Sequence, residues 1–167
     1  MAERQEQAAP DAVLSRIGQV VMLHHAGDRE EARARLLGLW AEIGEHGDAL
    51  HRCTLAHYLA DTQDDPADEL AWDLRALTAA QEAGEETLAV PAVAALYPSL
   101  HLNLADDYVR LGRDDAARAH LRRARETALA LADDGYGTGV WAAIARLESR
   151  LGEGGPGTWP PPPRQRP

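Results

Sequence analysis

Cys53 and His57 stand four residues apart in a helix-forming stretch, which puts a thiol and an imidazole side by side on one helix face. Such a pair could hold a metal ion, with His51, His24 or His25 completing the set. It could also activate a cysteine nucleophile. The bland alternative is a buried thiol beside a hydrogen-bonded histidine. A second kind of chemistry is polar recognition. Thr54, His57 and Asp61 share one face at spacings of three and four, and Asn103, Asp106 and Arg110 do the same. Two such ladders on adjacent inner helices would line a groove with hydrogen-bonding groups. The alternative is a set of inter-helix hydrogen bonds and a wet surface.

Other clusters carry less. Gly135-Tyr-Gly-Thr-Gly139 looks like a phosphate loop, but no strand precedes it and the dinucleotide spacing is absent. A loop with Thr138 capping the next helix is the better reading. Arg118, Arg122, Arg123 and Arg125 form a basic cluster, which reads as a solvated outer face. Asp61, Asp64, Asp65, Asp68 and Glu69 lack the order and central glycine of a calcium loop. They suit a turn and a helix N-terminus, where negative charge is favourable.

Composition narrows the classes. The chain has 167 residues and a net charge of −10, and all 17 of its basic residues are arginine. An acidic chain repels phosphate backbones, so no nucleic acid is expected as a partner. Without lysine, Schiff-base chemistry and the Gly-Lys-Ser/Thr phosphate loop are excluded. A single cysteine allows no internal disulfide. The N-terminus has no apolar run behind a basic start, and no stretch approaches the roughly 18 apolar residues of a span. A cytoplasmic protein with no membrane contact is expected.

The elements follow from apolar spacing and punctuation. A first helix is expected from Asp11, with Ile17 and Val20 inward and Gly27 as its stop. Asp28 and Glu31 suggest a capping box for the second, striped by Ala32, Leu36, Leu39, Trp40 and Ile43. The third starts near Asp48. The fourth starts at Pro66 with Asp65 as cap and carries Leu70, Leu74 and Leu77. Residues 90–96 suggest a short extra turn. A fifth helix runs from about Pro98 to Leu111. Gly112 ends it and Asp114 caps the sixth, with Ala117, Leu121, Ala124 and Ala128 inward. Residues 133–137 read as a loop before a last helix with Trp141, Ile144, Leu147 and Leu151 inward. Residues 1–10 read as a flexible N-terminus, 11–151 as the helical domain, and 152–167 as a disordered Pro/Gly-rich tail. No segment alternates with period two, so the class is all-α.

Turns recur at residues 27–28, 64–66 and 112–114, about 37 and then about 48 residues apart, near the period of helical repeats. In the last pair, Leu104, Ala105, Tyr108, Gly112, Ala117, Leu121 and Ala124 stand at the signature positions of the tetratricopeptide repeat, which this chain resembles. His101 replaces that repeat's first tryptophan. The resemblance covers roughly residues 12–132, and the chain is also similar to small stand-alone repeat proteins of actinobacteria. It implies a right-handed α-solenoid of about three degenerate helix pairs plus a C-terminal capping helix, with the first helix of each pair lining a concave face.

The resemblance also implies a use for that face. Some tetratricopeptide domains clamp a peptide carboxylate with basic residues and asparagines. Asn103 holds one such position and Arg110 could supply charge, but the lysines of the clamp have no counterpart. Asp61 and Asp106 would repel a carboxylate, so a basic or polar peptide is expected. The expectation is a non-enzymatic adaptor or regulatory subunit, monomeric or homodimeric and without cofactor. It would bind a protein or peptide through His57, Asp61, Asn103, Asp106 and Arg110. The alternatives are a metal- or thiol-dependent protein centred on Cys53 and His57, or a self-associating scaffold.

Overall fold

The computed structural model describes residues 2–84 and 94–152, with side chains described from residue 12 onward. Among these residues there are seven α-helices and no strand, so the class is all-α. They are α1 (Ala2–His25), α2 (Arg29–Ile43), α3 (Ala49–Asp61), α4 (Pro66–Glu82), α5 (Leu96–Arg110), α6 (Asp114–Ala128) and α7 (Gly135–Arg150). The chain forms two compact units, Met1–Val90 with α1–α4 and Pro91–Pro167 with α5–α7. The extra turn expected at residues 90–96 falls largely outside the described residues, as does the tail from residue 153.

In the first unit α1 pairs with α2 and α3 with α4. Its core joins Ile17 and Val20 of α1, Ala32, Leu36 and Leu39 of α2, and Leu55 and Leu59 of α3. On α4 the buried face is Ala76, Leu77, Ala79 and Ala80, while Leu74 is left 38% exposed. Trp40 meets Trp72 edge to face at 5.1 Å, and the Arg75 guanidinium lies 4.5 Å from the Trp72 ring centre. Arg29 and Arg33 of α2 reach the α3–α4 turn. They donate to the Thr62 and Gln63 carbonyls and pair with Asp64 at 3.1 and 3.0 Å. The acidic turn thus serves structure: Asp64 ties two helices and Asp65 accepts from the Ala67 N–H to cap α4.

In the second unit α5 pairs with α6, and α7 packs on both. Leu102 and Ala105, Ala117, Leu121, Ala124 and Ala128, and Val140, Ile144, Leu147 and Leu151 make one cluster. Ala105, Ala117 and Ala124 are fully buried, so the helices approach over methyl groups. Arg125 pairs with Glu148, and Arg118 donates to the Leu151 carbonyl at 3.2 Å. Two members of the predicted basic cluster therefore fasten α7.

Four boundary expectations are corrected. The backbone is helical from Ala2 rather than from Asp11, over a run of Glu, Gln, Arg and Ala that favours helix. The capping box at Asp28 does not form. The Asp28 N–H is already given to the Leu23 carbonyl, and Glu31 pairs with Arg35 one turn on at 2.8 Å. Asp114 lies inside the first turn of α6 rather than capping it, because the Arg113 N–H closes back on Tyr108 at 2.8 Å. These two turns use the same pair of bonds around Gly27 and Gly112, whose φ values of +99° and +73° favour glycine. The fourth correction concerns Thr138. The cap of α7 is Asp134, whose carboxylate accepts from the Gly137 N–H at 2.9 Å, so the expected loop shortens and Thr138 lies within the helix.

Gly137 has a second constraint. A Cβ there would lie 2.3 Å from the Ala132 carbonyl oxygen, whereas one at Gly139 would meet nothing within 4 Å. Gly137→Ala is expected to cost about 1–3 kcal/mol, while Gly139→Ala should gain about 0.5–1 kcal/mol from helix propensity. Thermal melting of the two variants should show shifts of opposite sign. Equal shifts would refute the close approach at Gly137.

Candidate interaction groove between α5 and α7

One face of α5 carries Ser99, Leu102, Asn103 and Asp106, and one face of α7 carries Tyr136, Val140, Ala143, Arg146, Leu147 and Arg150. The spacings of three and four put each set on a single stripe. Between them lies a groove of about 560 Å³. Its floor is Leu102, Val140 and Leu147, which also belong to the core, so packing holds the floor rigid. At one end the Tyr136 hydroxyl meets Ser99 Oγ and donates to the Ala95 carbonyl at 2.7 Å.

The walls are charged. Arg150 donates to Asp106 Oδ1 at 2.7 Å. Arg110 lies 3.9 Å from Asp106 Oδ2 and 3.7 Å from Oδ1 of the buried Asp107. Arg146 also lines the groove and is exposed. Among the described residues it has neither an ion pair nor a hydrogen-bond partner.

Of the residues expected from sequence, Asn103 and Asp106 line this groove. Arg110 does not; it braces the carboxylates of Asp106 and Asp107. His57 and Asp61 belong to the first unit. There Asp61 is exposed and His57 is half-buried, 5.3 Å from the Tyr58 ring. Burial pushes the His57 imidazole below its ordinary value, and the Asp61 charge partly offsets this. Thr54 gives its hydroxyl to the Leu50 carbonyl of its own helix. Sequence reasoning missed Arg146, Arg150 and Tyr136. The signal was there, as the stripe 136, 140, 143, 146, 147 and 150 on a helix assigned only a capping role.

Cys53 is buried and burial pushes its thiol up to about 11, so it stays protonated near neutrality and is a poor nucleophile. Among the described residues, no group of three ligand atoms includes Cys53 and His57. A second hollow, of about 580 Å³, lies in the first unit by Trp40, Arg52 and Arg75. Its arginines are engaged, Arg52 with Glu82 at 2.7 Å and Arg75 over Trp72.

Beneath the α5–α6 contact sits an aromatic column. His101 is buried, and its Nδ1 lies 3.1 Å from Nδ1 of His120. The His120 ring stacks on His101 at 5.4 Å and on Tyr108 at 5.5 Å. Burial first, then the charges of His120 and Arg123, lowers His101 to about 4. His120 is lowered by burial and by Arg123.

The described residues form an all-helical fold with a polar-walled groove, and no helix among them is long and apolar enough to cross a membrane. No family model, curated protein or solved structure matches the chain.

Proposed function

We propose that this chain is a cytoplasmic, non-enzymatic adaptor or regulatory subunit that holds a peptide or protein segment in the α5/α7 groove. In this reading the helices form a right-handed tetratricopeptide-like solenoid, and α5 and α7 present its inner face. The observation that carries it is the groove itself, an apolar floor fixed in the core between polar walls that include Asn103 and Asp106. Support for repeat architecture comes from the two turns at Gly27 and Gly112, which share hydrogen bonds and are followed by buried Ala32/Leu36 and Ala117/Leu121 at equal offsets. The thiol- or metal-centred alternative is weaker, because a protonated, buried Cys53 offers neither nucleophile nor ready ligand.

The test is affinity co-purification from the native cell with Ala143→Trp as control. Ala143 sits half-buried on the groove wall, so an indole there fills the space a ligand would use. The expected result is a protein retained by wild type and lost by the folded variant. Equal retention by both, or by neither, would overturn the groove as the binding face.

A further inference from the structure

We infer that the α5/α7 groove is built for an acidic peptide segment, with a carboxylate on Arg146 and a neighbouring apolar side chain on the floor of Leu102, Val140 and Leu147; this rests on the adaptor reading above. The groove lining holds one carboxylate, Asp106, against two guanidiniums, Arg146 and Arg150. Asp106 is neutralised by Arg150 at 2.7 Å, with Arg110 behind it. That pairing removes the repulsion the sequence alone sets against an acidic ligand. What remains is Arg146, exposed on the wall and without an ion pair among the described residues. This local excess of positive charge stands against the net charge of −10 that the chain carries as a whole.

Spacing supports a peptide over an isolated anion. Arg146 stands three residues after Ala143 and four before Arg150 on one stripe. A chain lying along α7 therefore meets the apolar floor and the guanidinium within one helical turn of each other. A guanidinium accepts a carboxylate by two parallel N–H donations, which fixes register as well as charge.

Three end-blocked peptide libraries test this on the full chain by fluorescence anisotropy. Each centres on tryptophan or leucine, flanked by aspartate, asparagine or lysine. Blocked ends remove any contribution from a terminal carboxylate. The aspartate library should bind about tenfold tighter than the asparagine library and tighter still than the lysine library. Arg146→Gln should abolish that preference and Arg146→Glu should turn it toward lysine, with Arg122→Gln on the exposed face of α6 leaving it intact. Arg146 is exposed and makes no hydrogen bond or ion pair among the described residues, so its variants should melt like wild type. Three outcomes would overturn the inference: asparagine or lysine binding as well as aspartate, an aspartate preference that survives Arg146→Gln, or no library binding to wild type. The co-purification with Ala143→Trp reads out separately. A partner lost there with no acidic preference here sinks the ligand chemistry and leaves the adaptor reading standing.

Discussion

Lowering the pH from about 6.5 to about 4 should destabilise the second unit by about 2 kcal/mol through the His101–His120 pair alone. The folded chain holds His101 at about 4 and His120 also below its ordinary value, so between the unfolded and folded pKa values the unfolded chain binds more protons. Stability then rises with pH across that window, is fully present above the unfolded value, and is lost as pH falls toward the folded one. The full shift at His101 would correspond to about 3 kcal/mol, which solvent access to the half-buried partner reduces. The chemistry is specific. In the neutral pair one Nδ1–H donates and the other Nδ1 accepts. Protonating both rings leaves two donors face to face, beside the Arg123 charge. The check is urea unfolding at several pH values for wild type and the double variant His101→Phe/His120→Phe, which keeps the stack and removes the titration. The variant should show a shallower slope than the wild type between these limits. Identical slopes would show that the pair does not titrate as described. His57 shifts in the same direction in the first unit, so only the difference between the two proteins isolates the pair.

Leu121→Ala is expected to produce the largest single loss, about 3 kcal/mol. Leu121 is 1% exposed and belongs to the cluster shared by α5, α6 and α7. Its neighbours Ala117, Ala124 and Ala128 are too short to move into the space, so the cavity persists. In a unit of this size that loss should lower the melting temperature by more than about 10 °C. Because Leu121 does not line the groove, the folded fraction should keep the aspartate-over-lysine preference. A loss below about 1 kcal/mol would mean that the cluster collapses around the gap. A reversed ligand preference would mean that the core and the groove are not separable.

The helices were legible because their signals are local. Apolar spacing placed Ile17, Leu36, Leu121 and Ile144 inward, and all four are buried. Gly27, Gly112 and Asp65 each act where turn chemistry puts them. The caps expected at Asp28 and Asp114 fail for one reason, while Thr138 fails because Asp134 already caps α7. Capping depends on which backbone N–H groups remain free, and at the two glycine turns the preceding helix had already claimed the N–H that follows the glycine. Leu74 misled for a related reason: its spacing fits the stripe of Leu70 and Leu77, but on α4 the burial falls on the alanine-rich face.

The site was legible only in part. Asn103 and Asp106 share a helix face by spacing, and both line the groove. Arg110 shares that spacing too, yet Asp106 and Asp107 hold it outside the lining. By itself the sequence determined an all-α chain, its helix order and turns, and one helix face that carries polar groups. These follow from backbone hydrogen bonding and 3.6-residue periodicity, which need no distant partner. Only the tertiary structure decided the sign of that face. Whether Asp106 repels a carboxylate depends on Arg150, 44 positions later, and that contact exists only once α7 has packed on α5.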